Sequence, residues 1–142
     1  MKIKDRWEYI ISLDEELLKG SVILSEWCAL IVRETDVAFA SGANLASILT
    51  AVAAIETYLK SEYSATGIEK LVELINISPI AEDLKVALHR LRMYRNKWVH
   101  VDDPSDDSRL LENPEETENE LENMAFISAR SLRRVIYENQ CV

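Results

Sequence analysis

Leu84-Lys85-Val86-Ala87-Leu88-His89-Arg90-Leu91-Arg92-Met93-Tyr94-Arg95-Asn96-Lys97-Trp98-Val99-His100 is the stretch on which the reading of this chain turns. Leu84, Ala87, Leu88, Leu91, Tyr94 and Trp98 recur at helical steps and line one face of a helix. Arg95 falls inside that apolar arc, four residues after Leu91. A guanidinium there has to be desolvated and partnered, which is costly unless it serves something. Two structural readings stand beside a functional one. The side chain snorkels out at the end of the bundle with its stem buried, or it pairs with Glu56 of another helix. Further on, Val99 and Val101 are β-branched and Pro104 follows, so the helix is predicted to end near His100. On an unbroken helix His100 lies roughly 140° round the axis from Arg95. The two share a site only if the helix ends between them or a second subunit supplies one. A histidine near a helix C-terminus is otherwise a favourable charge–dipole placement. His89 reads as a surface or edge residue.

Working outward, Ser78-Pro79 predicts the start of this helix, over about 79–98, with serine at the cap and proline in the first turn. A second helix is predicted over about 44–62. Its apolar face is Leu45, Ile48, Leu49, Val52, Ile55 and Leu59, and its alanines permit close packing. Glu56 stands at the edge of that face. Ser64 to Gly67 reads as a break, followed by a short helix over about 68–75. Towards the N-terminus, Ser12 with Asp14, Glu15 and Glu16 predicts the start of a long helix. Leu17, Leu24, Trp27 and Ile31 are its buried stripe, and Gly20 weakens it without having to end it. Residues 1–12 read as a short amphipathic lead-in with no assigned structure. Asn113-Pro114-Glu115-Glu116 predicts the last helix, with Glu116 in a capping-box position. Leu121, Met124, Ala125, Ser128, Leu132 and Val135 are its buried face, and Arg130, Arg133 and Arg134 lie on its other sides or towards its end.

Four main helices and a short one, without internal repeats, predict an all-α antiparallel helical bundle forming a single domain over 1–142. The stripes can also bury against a second copy, which makes a homodimer an expectation. Only three glycines and three prolines in 142 residues agree with helices. The formal charge of −9 excludes a generally basic nucleic-acid binder but leaves room for a local basic patch. Cys28 and Cys141 are far apart and in no CxxC spacing, so they read as reduced thiols. Charges occupy the N-terminus where a signal peptide needs its apolar core, and no apolar run approaches the ~18 residues of a membrane span. The expectation is a soluble, cytoplasmic protein with no membrane partner. The loop Asp102-Asp103-Pro104-Ser105-Asp106-Asp107 lacks the glycine and closing glutamate of an EF-hand. The distant histidines and cysteines suggest no zinc site. Neither a metal nor a cofactor is expected.

Arg95-Asn96-Lys97-Trp98-Val99-His100 resembles the signature of the HEPN superfamily, an arginine, usually a polar residue next to it, and after a short spacer a histidine. Ala53-Ala54-Ile55-Glu56 before Tyr58-Leu59-Lys60 is similar to the early HEPN helix that carries an acid on an apolar background. The resemblance covers most of the chain as architecture, but its specific part is the Arg95–His100 segment. It implies a HEPN-like bundle acting as a metal-independent endoribonuclease, with two motif copies facing each other across a symmetric dimer. In that reading His100 takes the 2′-hydroxyl proton or, as imidazolium, protonates the leaving 5′-oxygen. Arg95 holds the scissile phosphate, and Asn96 orients the arginine, the histidine or a phosphate oxygen. Arg90, Arg92 and Lys97 lead the RNA backbone in, and Glu56 supports. Products are a 2′,3′-cyclic phosphate and a 5′-hydroxyl, with DNA spared for want of the 2′-hydroxyl. The implied setting is a toxin–antitoxin or antiphage defence system, with a cognate antitoxin protein as partner. Where such toxins commonly carry a modifiable tyrosine, two residues after the histidine, this chain has Asp102. The alternative is a catalytically inactive HEPN-like module that binds RNA, a nucleotide or a partner protein. A third reading is a plain helical interaction module in which the motif is coincidental.

Overall fold

The apolar periodicities resolve into seven helices among the described residues, 2–142 of the computed structural model. They are α1 (Ile3–Leu17), α2 (Glu26–Ala40), α3 (Asn44–Tyr63), α4 (Leu71–Ile77), α5 (Glu82–Val99), α6 (Ser108–Glu112) and α7 (Pro114–Tyr137). The architecture is an all-α bundle. The five longer helices pack round one apolar core to which α3 and α7 contribute the most buried residues. Arg6 at the start of α1 reaches Asn44 at the start of α3 and Glu122 early in α7, so these three helices run the same way. α5 runs against them, with Asp83 beside Arg134 at one end and Lys97 beside Glu120 at the other. α2 runs against them too, joined to α3 by a turn in which Gly42 takes a positive φ of 85°. No helix among the described residues is long and apolar enough to cross a membrane.

The apolar faces predicted for the second and last helices supply most of their buried positions. In α3, Ile48, Val52, Ile55 and Leu59 are buried while Leu45 and Leu49 are partly exposed. In α7 all six predicted residues are buried. Pro114 occupies the first turn, but Asn113 makes no side-chain cap and Glu116 turns to Arg109, so the capping box does not form.

The N-terminal third departs most from expectation. The residues read as an unassigned lead-in belong to α1, and Ser12 lies inside that helix with its hydroxyl donating to the Tyr9 carbonyl. Asp14, Glu15 and Glu16 therefore stand in its last turns. Residues 18–25 break the chain, and α2 starts afresh with the Ser25 hydroxyl accepting from the Cys28 amide. The expected stripe is consequently split. Leu24 and Ile31 are partly buried, Leu17 is half-exposed, and Trp27 is 78% exposed. The cause lies at the other end of the chain. The backbone of Cys141 pairs with Ser21 in an antiparallel bridge, and a Cβ on Gly20 would stand 1.8 Å from the Cys141 carbonyl oxygen. The Gln140 side chain accepts from the amides of Lys19 and Gly20 and donates to the Leu17 carbonyl, closing the end of α1.

The Ser64 to Gly67 break is held by the Glu69 carboxylate, which accepts from the Ser64 hydroxyl and from the amides of Ala65 and Thr66. The Ser64 bond foremost, with those amides, pulls the Glu69 carboxyl down to about 2. The short helix follows three residues later than predicted, and Ile68 is exposed. Ser78 closes that helix instead of opening the next, because its hydroxyl donates to the Leu74 carbonyl. α5 accordingly begins at Glu82, after Ala81, and not at Pro79.

Candidate functional site

The apolar face of α5 explains the position of its polar residues. Leu84, Leu88 and Leu91 are fully buried, and there the deep core stops; Tyr94 and Trp98 are only partly buried. Arg95 continues the same arc past the end of the core, so it is half-buried and not entombed. Its Nε donates to the Asn96 side-chain oxygen at 2.9 Å, which fixes the guanidinium plane. Glu56, half-buried on α3, forms no ion pair among the described residues, so of the two structural readings of Arg95 the pairing with Glu56 is not made.

That absence extends to the arginines of α5. Of the nine arginines in the sequence, Arg6, Arg33, Arg109, Arg130, Arg133 and Arg134 each have a carboxylate within 4.0 Å. Among the described residues Arg90, Arg92 and Arg95 have none, and the Arg92 Nε is buried without any hydrogen-bond partner. With 25 acids against 16 basic residues, an arginine usually finds a carboxylate here. It does not on α5 because residues 84–101 contain five lysines and arginines, both histidines and no acid. One turn nearer the start of the helix, Lys85 Nζ donates to the Asn76 carbonyl and His89 Nε2 lies 2.8 Å from the Asn76 side-chain oxygen. His89 is held below the usual histidine range, by desolvation first and then by the charges of Arg92 and Lys85.

His100 is the C-cap of α5, its amide donating to the Asn96 carbonyl at 2.9 Å, and it is exposed. The helix ends where the β-branched residues and Pro104 predicted. Its side chain lines a cleft of about 470 Å³ between the end of α5, the 101–107 loop, α6 and α7. Trp98, Asp102, Asp106, Thr117 and Glu120 also line it, as does Lys97, whereas Arg90, Arg92, Arg95 and Asn96 do not. Within one chain, then, the arginine and the histidine of the motif face different spaces.

The floor of the cleft is a charge knot that no pattern in the sequence announces. Glu120 accepts from the Tyr94 hydroxyl at 2.9 Å and from Arg109 at 2.8 Å, with Lys97 3.4 Å away. Burial works against the charge of Glu120, but the Tyr94 bond and the two cations prevail and lower its carboxyl. Arg109 comes from α6, in a stretch between the acidic loop and the last helix to which the sequence reading assigns no element. The sequence signal was present only in part, as Glu116 and Glu120 one turn apart on the exposed side of α7. Nothing in it placed Arg109 opposite them. Among the described residues no group of three or more His, Cys, Asp or Glu is arranged to hold a metal ion.

Comparison with known proteins finds no family model that matches the chain, and no similar curated protein or solved structure. The site rests on its own residues.

Proposed function

We propose that this protein is a HEPN-like, metal-independent endoribonuclease that leaves 2′,3′-cyclic phosphate and 5′-hydroxyl ends, working in a toxin–antitoxin or antiphage setting. The observation that carries the reading is that Arg90, Arg92 and Arg95 lack carboxylate partners in a chain otherwise rich in ion pairs. An unpaired guanidinium keeps its full charge for a phosphate, and Arg95 is further oriented by Asn96 for fork-like contact. The local charge on α5 attracts a polyanion although the whole chain is acidic. His100 at the rim of the cleft is exposed and free to exchange a proton with a ribose hydroxyl or a leaving oxygen. Because Arg95 is outside that cleft, one active site draws Arg95 from one protomer and His100 from its partner in a symmetric homodimer.

The same separation favours a second reading, a binding module without catalysis, in which the arginines hold RNA and His100 remains a helix cap. Cleavage of a structured RNA in EDTA separates the two. The nuclease reading expects cleavage that resists EDTA, cyclic-phosphate ends, and a roughly 10²- to 10⁴-fold loss in His100→Ala with the fold intact. RNA binding without cleavage in the wild-type dimer decides for the binding module. Cleavage equal in wild type and His100→Ala removes His100 from the chemistry.

A further inference from the structure

The cleft that holds His100 is unsuited to phosphate. Its two cations, Lys97 and Arg109, are already committed to Glu120. Asp102 and Asp106, in contrast, line it with no cation or hydrogen-bond donor on their side chains among the described residues. The free polar groups of the cleft are therefore mostly acceptors, which repel a phosphate and receive N–H groups. One wall is Trp98, packed against the core on its inner side and open to the cleft on the other. Its indole N–H is buried with no acceptor in hydrogen-bonding geometry, although the Tyr94 hydroxyl is close by. The N–H edge is therefore closed to the cleft, and what Trp98 offers a ligand is the ring beside it. At about 470 Å³ the space lies in the range of small-molecule sites and suits a nucleobase.

We infer that this cleft is a nucleobase pocket selective for guanine, taking the base of the nucleotide whose 2′-hydroxyl meets His100. The inference rests on the nuclease reading for the placement of that ribose, whereas the pocket itself follows from the cleft. An aromatic wall stacks any base and does not discriminate. The carboxylates do. Guanine presents N1–H and N2–H side by side, matching the two oxygens of one carboxylate. Adenine sets its N1 lone pair against the carboxylate, and uracil flanks its single N–H with two carbonyls. Cytosine offers only its amino group.

Nucleosides, which carry no phosphate, test the pocket apart from the α5 arginines. The readout is the indole N–H resonance of Trp98 in the full-length protein, assigned with Trp98→Phe and followed on titration with guanosine, adenosine, cytidine and uridine. Guanosine is expected to shift it with at least ~10-fold tighter binding than adenosine, since a paired polar edge discriminates strongly. The preference should vanish in Asp106→Asn combined with Asp102→Asn, two exposed positions whose change leaves the fold intact. Equal response to all four nucleosides overturns the selectivity. No response to any nucleoside, or a shift only with an arginine-containing peptide, overturns the base pocket, the latter in favour of a protein partner. A cleavage assay in parallel keeps the two proposals apart. Guanosine binding in a protein that never cuts RNA removes the nuclease reading alone. Cleavage that depends on His100 without guanosine binding removes the pocket alone.

Discussion

Arg133 on α7 and Arg95 on α5 carry the same group on antiparallel helices and are treated in opposite ways. Arg133 is 4% exposed, grips both oxygens of Asp36 at 2.9 and 2.7 Å, and reaches Asp14 through Nε at 3.0 Å. Tyr137 donates to the same Asp14 oxygen. Burial alone disfavours its charge, but the Asp36 bonds and the fields of both aspartates overcome that and hold it protonated. Arg95 has only its neighbour Asn96. The difference teaches where an acidic protein keeps cationic charge available. Carboxylates absorb arginines nearly everywhere, so a free one requires a stretch of sequence that excludes acids, and residues 84–101 are that stretch.

The comparison breaks most visibly in stability. Arg133→Met leaves Asp36 and part of Asp14 as unpaired charges and is expected to cost about 3–5 kcal/mol in denaturant unfolding. Arg95→Ala is expected to stay within about 0.5 kcal/mol of wild type by the same measurement. A large loss in Arg95→Ala would make that residue structural glue and remove the contrast. Next in size, Gly20→Ala forces apart the Ser21–Cys141 bridge and should cost about 1–3 kcal/mol, in the range of ordinary destabilising changes. Unchanged stability there would mean that the C-terminal clasp is dispensable.

A salt series sharpens the arginine contrast on the functional side. If Arg90, Arg92 and Arg95 each neutralise a phosphate, each alanine variant should lower the slope of log affinity for single-stranded RNA against log salt by about 0.7. Arg130→Ala, whose guanidinium is paired with Glu16, should leave the slope where it was. The smallest effect concerns His89. Its pKa is lowered on folding, so the unfolded chain binds the proton more readily. Stability is therefore expected to be retained above the ordinary histidine pKa of about 6.5 and to fall as pH drops below it. His89→Gln should flatten that limb of the curve of stability against pH. A bound anion beside Arg92 should do the same by raising the His89 pKa.

Much of the bundle was legible because α3 and α7 carry long apolar periods that any packing partner must accept. The site was legible at α5, where Arg95 interrupts such a period and His100 follows at the helix end. The first helices misled for a physical reason. Leu17, Leu24, Trp27 and Ile31 keep helical phase across a gap, and the feature that breaks the helix, Cys141 crossing at Gly20, lies at the far end of the sequence. Arg133 was invisible as a core residue because its partners Asp14 and Asp36 are 119 and 97 residues away.

By itself, then, the sequence determined an all-helical chain, the apolar faces of α3, α5 and α7, and an acid-free cationic segment ending in a histidine. These are local properties of spacing and composition. Long-range packing settles which arginines are neutralised, that α6 brings Arg109 over Glu120, and that His100 faces a cleft from which Arg95 is excluded. Ion pairs and clefts depend on which distant segments meet, and periodicity carries no record of that.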